Sequence, residues 1–402
     1  MTVNERLLHA VLLNGVSDAG RLAGPLAAAL DGSGPAILPL DASLPAARLR
    51  QLIDAFQPNV VVGADGETTV RSDERKTPAG TAVIIGTSGS TGEPKGVELS
   101  AAALRHSAWA SMNRVGAAVG ERWLCCLPVS HVAGLQVLVR SLLSETELGV
   151  APVADAASLG RSGCAYVSVV PTQLARLLDE PGGAAALAEF AGVLVGGAAA
   201  ATELLDRARA AGVRAVTTYG MSETCGGCVY DGVPLDGVRV RAGDDGLLRI
   251  GGPVLMNGYY GGPRLNGEFV TSDLGYVRDG RVVVRGRADD VINTGGHKVV
   301  PGEVAAVLES CPGVREVVVV GRPDPEWGQR VTAVVVPVNP ADPPSLELLR
   351  TYVSGRLPRY ACPSEVVLTK AIPVLASGKP DLASLKNGRN VTDAGTISAP
   401  KR

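Results

Sequence analysis

The chain predicts an α/β protein: a large N-terminal domain of doubly wound sheets with a β-rich subdomain, then a small α+β domain at the C-terminal end. Three observations carry this. Helical and strand-like segments alternate over residues 5–62. Short apolar strands at 167–170 and 193–195 are each followed by a helical stretch, as a doubly wound sheet requires. Residues 238–287 are strand-rich, with Asp245-Gly246 and Asp279-Gly280 as hairpin turns.

In chain order, residues 5–13 read as a helix, 36–40 as a strand, 45–56 as a helix and 60–62 as a strand. Residues 82–85 form a buried strand and 99–115 the next helix, with a glycine-rich loop between them. A strand at 122–127 leads into a turn at 128–134 and a helix at 135–143. Near the C-terminal end, helices are expected at 301–310 and 345–355 and strands at 316–320 and 330–337. The small and polar residues 389–402 read as a flexible tail.

Bulk properties narrow the function. With 46% hydrophobic and 19% charged residues the chain is globular, and 402 residues suit two domains. A formal charge of −2 leaves no basic footprint for nucleic acid. No apolar run reaches membrane-spanning length, and Met1 to Arg6 lacks the start of a signal peptide, so a cytoplasmic protein is expected. Seven cysteines argue against a disulfide framework. Cys225 and Cys228 have redox or metal-ligand spacing, but no second pair or nearby histidine completes a site. Free thiols are the favoured reading, with metal binding the alternative.

The densest stretch is Gly86-Thr-Ser-Gly-Ser-Thr-Gly-Glu-Pro-Lys-Gly96. Its glycines allow a tight turn, and its N–H groups, hydroxyls and Lys95 suit an anion such as phosphate. It is not the Walker form, because Pro94 precedes the lysine and Gly96 follows it. A surface linker is the plainer alternative, but linkers rarely sit tightly between an apolar strand and a helix.

This stretch resembles the phosphate-binding signature of the adenylate-forming superfamily, which includes acyl-CoA synthetases, adenylation domains and luciferases. The resemblance implies that Thr87, Ser88, Gly89, Ser90, Thr91, Gly92 and Lys95 hold the triphosphate of ATP, with Thr91 also on the metal. Further motifs follow in the superfamily's order. In Ser130-His-Val-Ala-Gly134, His131 would border the carboxylate substrate; Arg140 would meet an anionic group of it or stay solvated. Gly196, Gly197 and Ala198 would wall the adenine and acyl pocket. In Thr217-Thr-Tyr-Gly-Met-Ser-Glu-Thr224, Tyr219 would stack on adenine, Glu223 would bind Mg²⁺ and Thr224 would donate to the α-phosphate. Asp273, within Thr271-Ser-Asp-Leu-Gly275, and Arg287 would hold the ribose.

Asp289 would be the hinge of a mobile lid, which divides the chain into 1–288, a lid at 289–388 and the tail. Gly295, Gly296, His297 and Lys298 would form the CoA-binding face, and Lys379, in Pro373-Val-Leu-Ala-Ser-Gly-Lys-Pro380, would be the catalytic lysine of adenylation. The N-terminal region is shorter than is usual in the superfamily.

The resemblance implies an ATP-, Mg²⁺- and CoA-dependent ligase. A carboxylate forms acyl-AMP with loss of pyrophosphate, the lid turns, and a thiol displaces AMP. The stretches 130–137 and 220–234 resemble the branch that acts on o-succinylbenzoate in actinobacterial menaquinone biosynthesis. His131, Arg140 and Ser222 are then candidates for holding the aromatic carboxylate. Another acyl acid, a carrier protein as acceptor, and a non-catalytic nucleotide-binding protein are the alternatives; the absence of a carrier domain after residue 402 leans toward free CoA. The expected partners are small molecules, with no nucleic acid and no membrane span, and a homodimer is left open.

Overall fold

The computed structural model describes residues 5–71, 76–78, 80–88, 93–375, 379–388 and 393–398. The fold is mixed α/β, in two compact units. The first comprises Met1–Ala200, Arg207–Val240 and Ile250–Phe269; the second comprises Ala201–Asp206, Arg241–Arg249 and Val270–Arg402.

The first sheet of the first unit runs in the order Gly258–Tyr259, Pro94–Ser100, Thr81–Ser88, Ala36–Asp41, Leu8–Leu13, Val60–Val62, Thr68–Val70. Its four central strands are parallel and its outer pairings antiparallel. Leu52 and Phe56 of the helix Ala46–Phe56 pack on Leu8, Leu38 and Ile84.

Two expectations fail here. Residues 5–13 are strands, Glu5–Arg6 and Leu8–Leu13, not a helix. Leu8–Leu13 lies between two parallel neighbours with Leu8, Ala10, Val11 and Leu13 all buried, and a strand covered on both faces shows no alternation to read. The helix at 99–115 likewise starts later: Pro94–Ser100 is a strand and Ala101–Val115 the helix, with Ser100 accepting a hydrogen bond from the Ala103 N–H at 3.0 Å. Val97 and Leu99 are fully buried, so the segment earns more from the sheet than from extending the helix. The two ends of the glycine-rich stretch, 86–88 and 94–96, are therefore paired antiparallel strands instead of the end of a strand and the start of a helix.

The second sheet runs Gly149–Val150, Trp123–Cys125, Tyr166–Val169, Gly192–Val195, Ala215–Met221, Gly226–Tyr230, Val233–Pro234. Its first five strands are parallel and the last two join antiparallel. The helix Val132–Leu143 starts three residues before the expected position, directly after His131.

A further four-stranded sheet, Arg239–Ala242, Leu247–Gly251, Phe269–Arg278, Arg281–Arg287, belongs mostly to the second unit. Asp279 and Gly280 have φ of 50° and 73° between paired Arg278 and Arg281, the left-handed two-residue turn that Asp-Gly favours. The C-terminal sheet runs His297–Val299, Ile292–Thr294, Gly328–Pro337, Glu365–Thr369, Asp393–Ser398, with Val314–Asp324 also paired to Gly328–Pro337. Val304, Leu308, Leu349 and Val353, from the helices Pro301–Glu309 and Leu346–Ser354, pack against Val319, Ala333 and Val335.

Within the stretch expected to be a tail, residues 393–398 form a strand antiparallel to Glu365–Thr369. That strand would otherwise present an unpaired row of backbone groups, which a partner strand satisfies. Among the described residues, no helix is long and apolar enough to cross a membrane.

Candidate active site

In the first unit, the hairpin carrying the glycine-rich stretch pairs Thr87 with Lys95, and the Thr87 hydroxyl donates to the Lys95 carbonyl at 3.2 Å. Ser88 pairs with Pro94, while Gly89, Ser90, Thr91 and Gly92 lie outside the described residues. Gly96 is required by packing: a Cβ there would lie 2.8 Å from the Phe56 ring and 2.9 Å from Ile84. Lys95 is exposed, with Nζ 5.5 Å from the centroid of the Tyr259 ring.

The Tyr259 hydroxyl donates to Glu223 Oε1 at 2.9 Å, which joins the hairpin to the short 3₁₀ turn Ser222–Thr224. Thr224 is fully buried, and its hydroxyl accepts from the Met221 N–H at 3.0 Å and donates to the Gly226 carbonyl at 2.7 Å. It thus closes the turn that presents Glu223. From the helix Ala101–Val115, Ser107 donates to the Cys225 carbonyl at 3.0 Å, and Cys225 itself has φ of 53°.

Thr224→Val should therefore lower stability by about 1–3 kcal/mol, because it strands buried backbone groups, whereas Thr224→Ser should be mild. Urea unfolding checks this. A weaker affinity for ATP with no loss of stability would instead support the expected α-phosphate role.

Cys225 and Cys228 are both buried free thiols, and burial raises both pKa values, Cys228 to about 12. They are poor nucleophiles at neutral pH. No cluster of three histidine, cysteine or acidic residues able to hold a metal occurs among the described residues. A single carboxylate at Glu223, with no protein partner for Oε2 among the described residues, nonetheless suits Mg²⁺, which takes one or two carboxylates with phosphate and water.

Gly196, Gly197 and Ala198 follow the strand Gly192–Val195. A Cβ on Gly196 would lie 2.1 Å from the Thr218 hydroxyl, so only glycine lets this turn close beside the strand that carries Tyr219. His131 caps the helix Val132–Leu143 with extended backbone, and that helix lies near the Glu223 turn, since a Cβ on Gly226 would meet Gln136 at 3.4 Å.

Arg140 is only 4% exposed. Its Nη1 and Nη2 donate to the Ser111 and Ser168 hydroxyls at 3.4 and 3.1 Å, and its guanidinium carbon lies 4.4 Å from the Trp123 ring centroid. Ser111 also shares a 2.7 Å hydrogen bond with Tyr230. Arg140 Nε has no partner among the described residues, and no carboxylate there pairs with the guanidinium. Burial lowers its pKa, although a guanidinium stays charged. The solvated alternative for Arg140 is overturned.

In the second unit, Asp273 and Arg287 face one another across paired strands, 3.5 Å apart, and Arg287 also reaches Asp289 at 3.1 Å. Asp289 lies in the 3₁₀ turn Ala288–Asp290. Gly295 and Gly296, with φ of 55° and 80°, turn the hairpin between Ile292–Thr294 and His297–Val299. His297 stacks on Tyr360 at 4.2 Å, and Lys298 is exposed. Lys379 is exposed, and its carbonyl accepts from the Leu375 N–H at 2.8 Å.

Sequence reasoning missed Tyr259, Ser107, the Ser111–Ser168–Trp123 setting of Arg140, and Trp327, which abuts Gly295 and is 53% exposed. With only 3% aromatic residues in the chain, the Tyr259-Tyr260 pair and Trp327 were conspicuous enough to be found.

Residues 66–260 match the AMP-binding enzyme family, and residues 303–379 match the AMP-binding enzyme C-terminal domain. The chain is 44% identical over 324 residues to a probable 2-succinylbenzoate–CoA ligase of Mycobacterium tuberculosis, covering 76% of this chain and 83% of that relative. It is similar in structure to o-succinylbenzoate CoA synthetase from Bacillus subtilis in complex with the acyl-adenylate intermediate, with a TM-score of 0.71 and 26% identity over 96% of this chain and 89% of that one. ATP-bound MatB from Rhodopseudomonas palustris gives a TM-score of 0.80 at 22% identity over 96% and 89% of the two chains, a likeness of fold alone.

Proposed function

The chain belongs to the AMP-binding enzyme family, and we propose that it is an AMP-forming acid–thiol ligase that joins o-succinylbenzoate to CoA through an acyl-adenylate. The observation that carries the substrate is Arg140. A buried guanidinium held by two hydroxyls and an indole face, with no carboxylate paired to it among the described residues, suits an anionic substrate group. A dicarboxylate supplies that anion at one end and the reacting carboxylate at the other. The names of the relatives support the same acid.

In the first half-reaction an oxygen of the succinyl carboxylate attacks the α-phosphorus of ATP. The bond from that phosphorus to the bridging oxygen breaks, and pyrophosphate leaves. Lys95 and the backbone of its hairpin hold the phosphates, Asp273 and Arg287 the ribose, and Lys379 offsets the charge that develops between carboxylate and α-phosphate. Glu223 would hold Mg²⁺, which screens the triphosphate from the incoming carboxylate. In the second half-reaction the CoA thiol, losing its proton, attacks the acyl carbon and AMP departs; the Gly295 to Lys298 hairpin belongs to this step. The use of ATP and CoA supports a cytoplasmic reaction, and the names of the relatives support a place in menaquinone synthesis.

Thioester formation with ATP, Mg²⁺ and CoA tests the reading across o-succinylbenzoate, benzoate, succinate and medium-chain fatty acids. Turnover confined to o-succinylbenzoate is expected. Turnover of a monocarboxylate would discard the dicarboxylate pocket and keep the two-step chemistry, and transfer only to a carrier protein would replace CoA as acceptor.

A further inference from the structure

Residues 256–260 tie together the two parts of the first unit on which ATP chemistry is proposed to depend. On one side, the Asn257 N–H donates to the Glu98 carbonyl at 2.8 Å and the Tyr260 N–H to the Gly96 carbonyl at 2.7 Å, while Tyr259 pairs with Val97, two residues beyond Lys95. On the other side, the Met256 N–H donates to the Glu223 carbonyl at 2.8 Å and the Tyr259 hydroxyl to Glu223 Oε1 at 2.9 Å. Backbone fixes the segment to both, and one side chain reaches each functional group.

We propose that Tyr259 is a positioning residue for nucleotide and metal: its hydroxyl locks the Glu223 carboxylate with Oε2 presented to the cation, and its ring is the platform beneath Lys95. The inference rests on the ATP-dependent reading above. An unrestrained glutamate loses rotamer freedom when it binds a cation, whereas one already held by a hydrogen bond has less to lose. The ring contact places Lys95 by its face, so deletion of the hydroxyl and deletion of the ring affect different ligands.

Equilibrium Mn²⁺ binding, followed by electron paramagnetic resonance on the full chain with α,β-methylene-ATP present, tests this apart from turnover. Tyr259→Phe should weaken Mn²⁺ about tenfold, the scale of one charge-assisted hydrogen bond, with metal-free nucleotide affinity unchanged. In a Glu223→Gln background the same change should add nothing. Tyr259→Leu should in addition weaken metal-free nucleotide binding. In turnover, Tyr259→Phe should raise the Mg²⁺ concentration needed for half-maximal rate more than it lowers kcat at saturating Mg²⁺. Wild-type Mn²⁺ affinity in Tyr259→Phe, or an equal loss in the Glu223→Gln background, would overturn the role of Tyr259 alone. No Mn²⁺–nucleotide binding by the wild-type chain would overturn the ATP-dependent reading with it.

Discussion

Lys379→Ala should slow acyl-adenylate formation by about 10²–10³-fold, the scale of removing one preorganised charge from a water-excluded transition state. The side chain has no ion-pair partner among the described residues, and its own backbone is anchored: Val374 pairs with Pro380, and the Leu375 N–H donates to the Lys379 carbonyl. Truncation therefore removes charge and little else, and the unfolding free energy should stay within about 0.5 kcal/mol of wild type. ATP binding should be nearly unchanged. Transfer of the acyl group to CoA from supplied o-succinylbenzoyl-AMP should also persist, because Lys379 is assigned to the first half-reaction. Rapid-quench measurement of each half-reaction separates these steps, and equal losses in both would remove the lysine from its assigned role.

Arg140→Met should have two effects of opposite sign. Without substrate, an uncompensated buried cation gives way to an apolar chain of similar reach, which should raise unfolding stability by about 1–2 kcal/mol. The specificity constant kcat/KM for o-succinylbenzoate should fall by about 10²–10³-fold, as expected when one partner of a buried charge pair is deleted. Urea unfolding of the free protein and steady-state kinetics measure the two effects. A variant that lost stability and kept turnover would make Arg140 a structural core residue. The pairing of effects is distinctive, since ordinary core damage lowers both.

The family was legible because its chemistry is written in contiguous runs: the 86–96 loop, the 217–224 segment and the 286–298 junction each read as a unit. Elements with a local signature were legible too, such as the Asp279-Gly280 turn and the helix after Ser345, whose hydroxyl accepts from the Leu348 N–H at 3.1 Å. Elements decided by distant partners were not. Leu8–Leu13 has helix-compatible residues but lies between two parallel strands. The strand Pro94–Ser100 was hidden because its partner is the strand before the loop, and the run after Lys95 leads smoothly into a true helix. Arg140 illustrates the same limit at the site. Its position in a helix suggested either a pocket or solvent, but Trp123, Ser111 and Ser168, which enclose it, come from three other parts of the chain.

Adenylate formation on a dicarboxylate is read by isotope exchange between pyrophosphate and ATP without CoA. Mg²⁺-dependent exchange that requires o-succinylbenzoate and is absent with benzoate or succinate is expected. Acid-dependent release of ADP, or no exchange with any acid, would contradict it.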